Sequence, residues 1–161
     1  MKNKQKGFTL IELLVVVAII ALLSSIALIA LISARTKSRD VKRLSDMTQM
    51  NTALELYFAT NKGYPSATNG IPDGLKPGFA SNLPAAPIPA DGICDGSFHP
   101  SGAANQPPAN TPANTYYYVP VGPFVLGSQT FYSDYIYYFC LGQKTGNFDP
   151  GLRQLTPRGI R

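Results

Sequence analysis

The 161-residue chain has one histidine, His99, and two cysteines, Cys94 and Cys140. His99 stands alone in Phe98-His99-Pro100, with no nucleophile at a useful spacing, so it reads as a solvated loop residue. No His/Cys zinc spacing and no glycine-rich phosphate loop is present. These absences leave no basis for an enzyme. Residues 64–161 also lack any excess of charge, with five basic and five acidic side chains. A nucleic-acid-binding head needs a basic patch, and composition supplies none. Two further absences are positional. Residues 8–62 contain neither glycine nor proline, and residues 8–34 contain no charge except Glu12.

Those last two absences define the N-terminal third. Residues 1–7 are short, polar and basic, and Phe8 to Ala34 are almost wholly apolar. A helix over residues 8–34 spans about 40 Å, enough to cross the hydrocarbon core of a bilayer. A conventional cleaved signal would have a shorter apolar core and a small-x-small site, which Ile32-Ser33-Ala34 matches poorly. The helical pattern continues past the apolar run. Val41, Leu44, Met47, Met50, Leu54 and Tyr57 recur at three or four residues, the spacing of one helix face. Lys42, Asp46, Gln49 and Glu55 fall mostly on other faces, and Asp46 can pair with Lys42 or Arg43. Gly63 is suited to a left-handed C-cap and Pro65 blocks continuation, so one helix of about 55 residues is expected.

Beyond it, residues 65–115 read as a Pro/Gly-rich loop. Tyr116–Val121 and Thr130–Leu141 read as two strands of an antiparallel hairpin, with turn signals at Gly122-Pro123 and Gly127-Ser128 and with Pro120 placing the first strand near an edge. The tyrosines of these segments are expected to divide between core and sheet face. Residues 142–161 read as a loop. The organisation is thus 1–7, 8–34, 35–63 and a head at 64–161, with fold class α+β: a long helix whose amphipathic half packs on a small antiparallel sheet. In an extracytoplasmic head, a Cys94–Cys140 disulfide is the natural reading, and two free thiols the reading for a reducing compartment. The chain-entropy model gives such a bridge about 4 kcal/mol as an upper value.

Glu12 is the residue that bland readings serve worst. A carboxylate at the centre of a membrane helix costs about 2.5–3.5 kcal/mol, and less near an end. It lies roughly 6 Å into the segment by helical rise. The run Lys6-Gly7-Phe8-Thr9-Leu10-Ile11-Glu12-Leu13 resembles the processing signature of the type IV pilin and type II secretion pseudopilin family. Arg39-Asp40-Val41-Lys42-Arg43, Ala53-Leu54-Glu55-Leu56-Tyr57 and Gly63-Tyr64-Pro65 resemble the major-pseudopilin branch. The resemblance implies cleavage between Gly7 and Phe8 by a membrane prepilin peptidase, with N-methylation at Phe8. It also implies pairing of Glu12 with the Phe8 amine of an adjacent copy in a helical filament. The partners implied are that peptidase, further copies of the chain, an inner-membrane assembly platform and the lipid bilayer, with no nucleic acid. The location implied is the bacterial cytoplasmic membrane, head outward, and then a periplasmic or cell-surface filament. Basic residues are no scarcer after the apolar run than before it, so a positive-inside count alone does not favour this orientation; the cleavage signature requires it. Relatives of the major type also suggest calcium near the C-terminus, for which Asp134, Asn147 and Asp149 are the oxygen-bearing candidates; otherwise no cofactor is expected. Two other classes are a minor tip subunit for adhesion or DNA capture and a non-assembling single-pass membrane protein.

Overall fold

The computed structural model describes residues 7–96, 105–108 and 110–161. His99 and the leader lysines lie outside the described residues. Helix α1 runs Leu10–Asn61, without the interruption that glycine or proline would cause. The chain divides into two compact units, Met1–Arg35 and Thr36–Arg161. In the first, every described residue is exposed, although its side chains are almost all Leu, Ile, Val and Ala. This helix is long and apolar enough to cross a membrane.

In the second unit, Met47, Met50 and Leu54 of α1 join Tyr118, Tyr135, Phe139, Leu141 and Leu155 in one core. The sheet has strand order β3-β4-β5-β6, formed by Tyr117–Leu126, Gln129–Leu141, Gly151–Thr156 and Gly159–Ile160. All neighbouring pairs are antiparallel. Tyr135, Tyr137, Phe139 and Leu141 alternate along β4 and so share one face, the face turned to the helix core. Tyr138 faces the other way and is also buried, its hydroxyl donating to the Asn105 carbonyl at 2.9 Å. The long loop therefore covers the second side of the sheet at that point. Pro120 lies in β3, which is an edge strand of this sheet, where a missing donor is tolerated.

Several expectations need correction. Residues 65–115 carry a short hairpin, β1 Ala67–Thr68 and β2 Ile71–Pro72, and a 3-10 turn at Gly92–Cys94. Strand β3 passes straight through Gly122-Pro123, and the reversal comes only at Gly127-Ser128. The tail at 142–161 is not a loop: it supplies β5 and β6. Its Leu155 pairs with Tyr137 and enters the core, an apolar contact too short in sequence to show a period. The left-handed residue ending α1 is Lys62 (φ 65°), not Gly63. Gly63 is required for a different reason: a Cβ there would sit 2.5 Å from Phe131 Cβ and 2.8 Å from Phe124 Cζ. Finally, Val41 is exposed, whereas Asp40, Arg43 and Asp46 are buried. Polar residues occupy the inward face at this level because they have partners there, and hydrophobic periodicity cannot register that.

Candidate processing and assembly site

Gly7, Phe8 and Thr9 precede the helix and are exposed, Phe8 at 87%. A Cβ at Gly7 would meet nothing within 4 Å, so packing gives no reason for glycine at this position. The helix begins where it does because Thr9 and Glu12 cap it reciprocally. The Thr9 amide and hydroxyl each donate to Glu12 Oε2 at 2.8 Å, and the Glu12 amide donates to Thr9 Oγ1 at 3.3 Å. This is a capping box, Thr-x-x-Glu, which satisfies backbone donors that a helix start leaves open. Its signal is local, the Thr-x-x-Glu spacing of Thr9-Leu10-Ile11-Glu12. The consequence is that Gly7 and Phe8 stay outside the helix and exposed. Among the described residues, Glu12 Oε1 accepts no hydrogen bond.

The head holds a second polar constellation that spacing did not foretell. Arg39 forks onto Asp91, with Nε donating to Oδ2 at 2.7 Å and Nη2 donating to Oδ1. Arg43 Nη1 donates to Asp40 Oδ1 at 2.6 Å and to Asp91 Oδ2 at 3.3 Å. Its Nη2 donates to Asn114 Oδ1 at 2.8 Å and to the Pro87 carbonyl at 3.3 Å. Asp40 in turn accepts the amides of Gly142 and Gln143, each at 2.9 Å. Arg43 thus pairs with Asp40 and Asp91, while Asp46 takes Lys42 at 3.2 Å and the Tyr116 hydroxyl at 2.9 Å. The hydrogen bonds from Arg39 hold the Asp91 carboxyl below its ordinary range, with the Arg39 and Arg43 charges helping and burial opposing. Buried ions are tolerated when paired and well hydrogen-bonded; here two cations meet two anions, and Arg43 Nε is buried without a hydrogen-bond partner among the described residues.

Cys94 and Cys140 form a disulfide, joining the 3-10 turn to the end of β4. Each acidic calcium candidate faces a basic side chain. Asp134 lies on β4 with Arg158 at 3.7 Å, Asp149 has Lys144 at 3.7 Å, and Asn147 is exposed in the β4–β5 connection. Among the described residues, no group of three or more His, Cys, Asp or Glu could hold a metal.

Comparison with known proteins places the N-terminal constellation. Residues 2–32 match the family model described as the prokaryotic N-terminal methylation motif. The chain is 30% identical to type II secretion system core protein G of Aeromonas hydrophila over 123 residues, covering 76% of this chain and 78% of that relative. It is 31% identical to the protein of the same name from Escherichia coli K12 over 98 residues, covering 53% of this chain and 68% of the relative. With Klebsiella pneumoniae core protein G the identity is 34% over 69 residues, 43% of this chain and 49% of the relative. No solved structure matches the chain. The methylation motif, the exposed Gly7–Phe8 bond ahead of a capped apolar helix and the similarity through the head agree, and the chain belongs to the type II secretion system core protein G family, as a prepilin-type filament subunit of the major pseudopilin branch.

Proposed function

We propose that the chain is made as a precursor in the cytoplasmic membrane, cut between Gly7 and Phe8 by a prepilin peptidase, N-methylated at Phe8, and extracted into a helical pseudopilus of many copies. The observation that carries this reading is Glu12, the only charge between Phe8 and Ala34. It sits four residues from the amine that cleavage would create. A helix that is apolar all round needs a membrane or other apolar helices to cover it; residues 10–35 are of that kind, and the proposal gives them both covers in turn. In either setting a lone carboxylate is unfavourable unless partnered. Thr9 satisfies Oε2, which leaves Oε1 for the Phe8 ammonium of the adjacent copy. Attraction between full charges is strong at low dielectric, although both ions lose hydration. Such a contact sets axial register, while Leu13–Ile32 from successive copies supply the bulk of the packing. Head-to-tail contacts that do not close generate a filament. The partners in this reading are the peptidase, further copies and an inner-membrane assembly platform.

The test is fractionation of processed subunits between membrane and sheared filaments, in cells lacking the native copy. Glu12→Ala removes a charge that opposes membrane residence, so insertion persists or improves, and cleavage continues. Assembly fails. Glu12→Gln keeps shape and hydrogen bonding but not the full charge, and is impaired too. Wild-type assembly by both variants would refute the pairing.

A further inference from the structure

The disulfide and the buried charge cluster meet at one place in the head. Asp91 is the residue before the 3-10 turn Gly92–Cys94, and its carbonyl accepts the Cys94 amide at 2.9 Å. Cys94 is bonded to Cys140. Two residues after Cys140, Gly142 packs directly against Asp91: a Cβ on Gly142 would lie 2.5 Å from Asp91 Cβ and 3.0 Å from its carbonyl oxygen. Gly142 and Gln143 also donate their amides to Asp40, and Arg43 bridges Asp40 to Asp91. The chain between β2 and β3 contributes no strand among the described residues, so little ladder bonding fixes Asp91 in place. What fixes it is the disulfide three residues on, the two arginines, and the Thr36 hydroxyl, which donates to Asp91 Oδ1 at 3.2 Å.

We propose that the Cys94–Cys140 pair is a redox gate on this cluster: the oxidised chain holds Asp91 between Arg39 and Arg43, and the reduced chain releases it together with the 142–143 amides. The physical reason is effective concentration. The bridge turns the approach of Asp91 to the arginines into a short-range intramolecular event, whereas the reduced chain closes a long loop without help. Charge balance carries the effect onward. Asp91 and Asp40 share Arg43, so loss of Asp91 leaves Arg39 and Arg43 facing a single carboxylate and opens the packed contact at Gly142. Closing the gate removes two electrons and two protons from the Cys94 and Cys140 thiols. A dithiol–disulfide oxidant supplies the exchange: one thiolate attacks its disulfide, the mixed disulfide is resolved by the other cysteine, and the oxidant leaves as a dithiol. The device distinguishes a head that has met such an oxidant from one that has not. It concerns the head alone and stands whether or not Glu12 acts in assembly.

Amide hydrogen exchange on the full chain in detergent micelles tests it, with dithiothreitol as reductant. In the oxidised chain the Gly142 and Gln143 amides exchange slowly. Reduction raises their rates by roughly tenfold or more, while paired amides of β3 and β4 between Val119 and Ile136 stay protected. Asp91→Asn with the disulfide intact raises the same two amides, and reducing that variant adds little. The proposal is overturned if reduction leaves residues 142–143 protected, if the two perturbations multiply independently, or if reduction frees β3 and β4 to the same degree, which would make the bridge a general staple.

Discussion

Asp40 and Asp91 show how much a single side chain can decide in this head. Each is buried, and each is matched to an arginine. Asp40→Ala leaves Arg43 with Asp91 as its only carboxylate and strips the 142–143 amides of their acceptor. Breaking a buried pair in this way costs about 3–5 kcal/mol, which should appear as a large drop in the midpoint of thermal unfolding. Asp91 makes a prediction in pH. Its folded carboxyl titrates below the ordinary value because Arg39 donates to it. A depressed folded value means that the stabilisation is fully present above the unfolded pKa, near 4. It is lost as pH falls from there through the folded value. Thermal midpoints measured from pH 7 to pH 2 should therefore fall more steeply below about pH 4 in the wild type than in Asp91→Asn, which begins lower and runs flatter. Parallel curves would contradict the assignment.

At the scale of elements, the helix and the hairpin were the legible parts, and the reasons are physical. The period of three and four in Met47, Met50, Leu54 and Tyr57 reports apolar burial, and the core uses those residues. The same period placed Val41 inward and Asp46 outward, and both are reversed, because an inward face can be polar when partners approach from distant loops. Asp91 and Asn114 are such partners, and nothing local in the sequence announces them. The Thr9–Glu12 cap, in contrast, was fully local. Strand β5 was hidden because its partner, β4, supplies the pairing that its own residues do not advertise. Gly63 is required by close packing and not by a left-handed backbone. Gly63→Ala should cost about 1–3 kcal/mol through the collision with Phe131, visible in denaturant unfolding of the full chain, whereas a left-handed requirement at this residue is not part of that cost. The buried tyrosines of β3 and β4 and the residue before them carry a further test. Burial raises the titration of Tyr118, Tyr135 and Tyr137 above the ordinary phenol value, and Tyr116 behaves alike. A raised folded value means that this contribution is intact below about pH 10 and declines as pH climbs above it. Phenolate absorbance should rise in two stages, with the buried set ionising only as the head unfolds. A single stage with native circular dichroism retained would show those rings to be accessible.

For the molecule as a whole, the two units divide the work. Residues 36–161 form a folded head with its own core, charge cluster and disulfide. Residues 10–35 form a helix whose apolar side chains are exposed. In the proposed function one bond cleavage links them, turning a precursor into an assembling subunit. Intact mass and N-terminal peptide analysis of sheared filaments from the native host tests that claim most directly. The expected chain begins at Phe8, with one methyl group on its amine and no residue of the leader. Assembled filaments whose subunits retain Met1–Gly7 would contradict it.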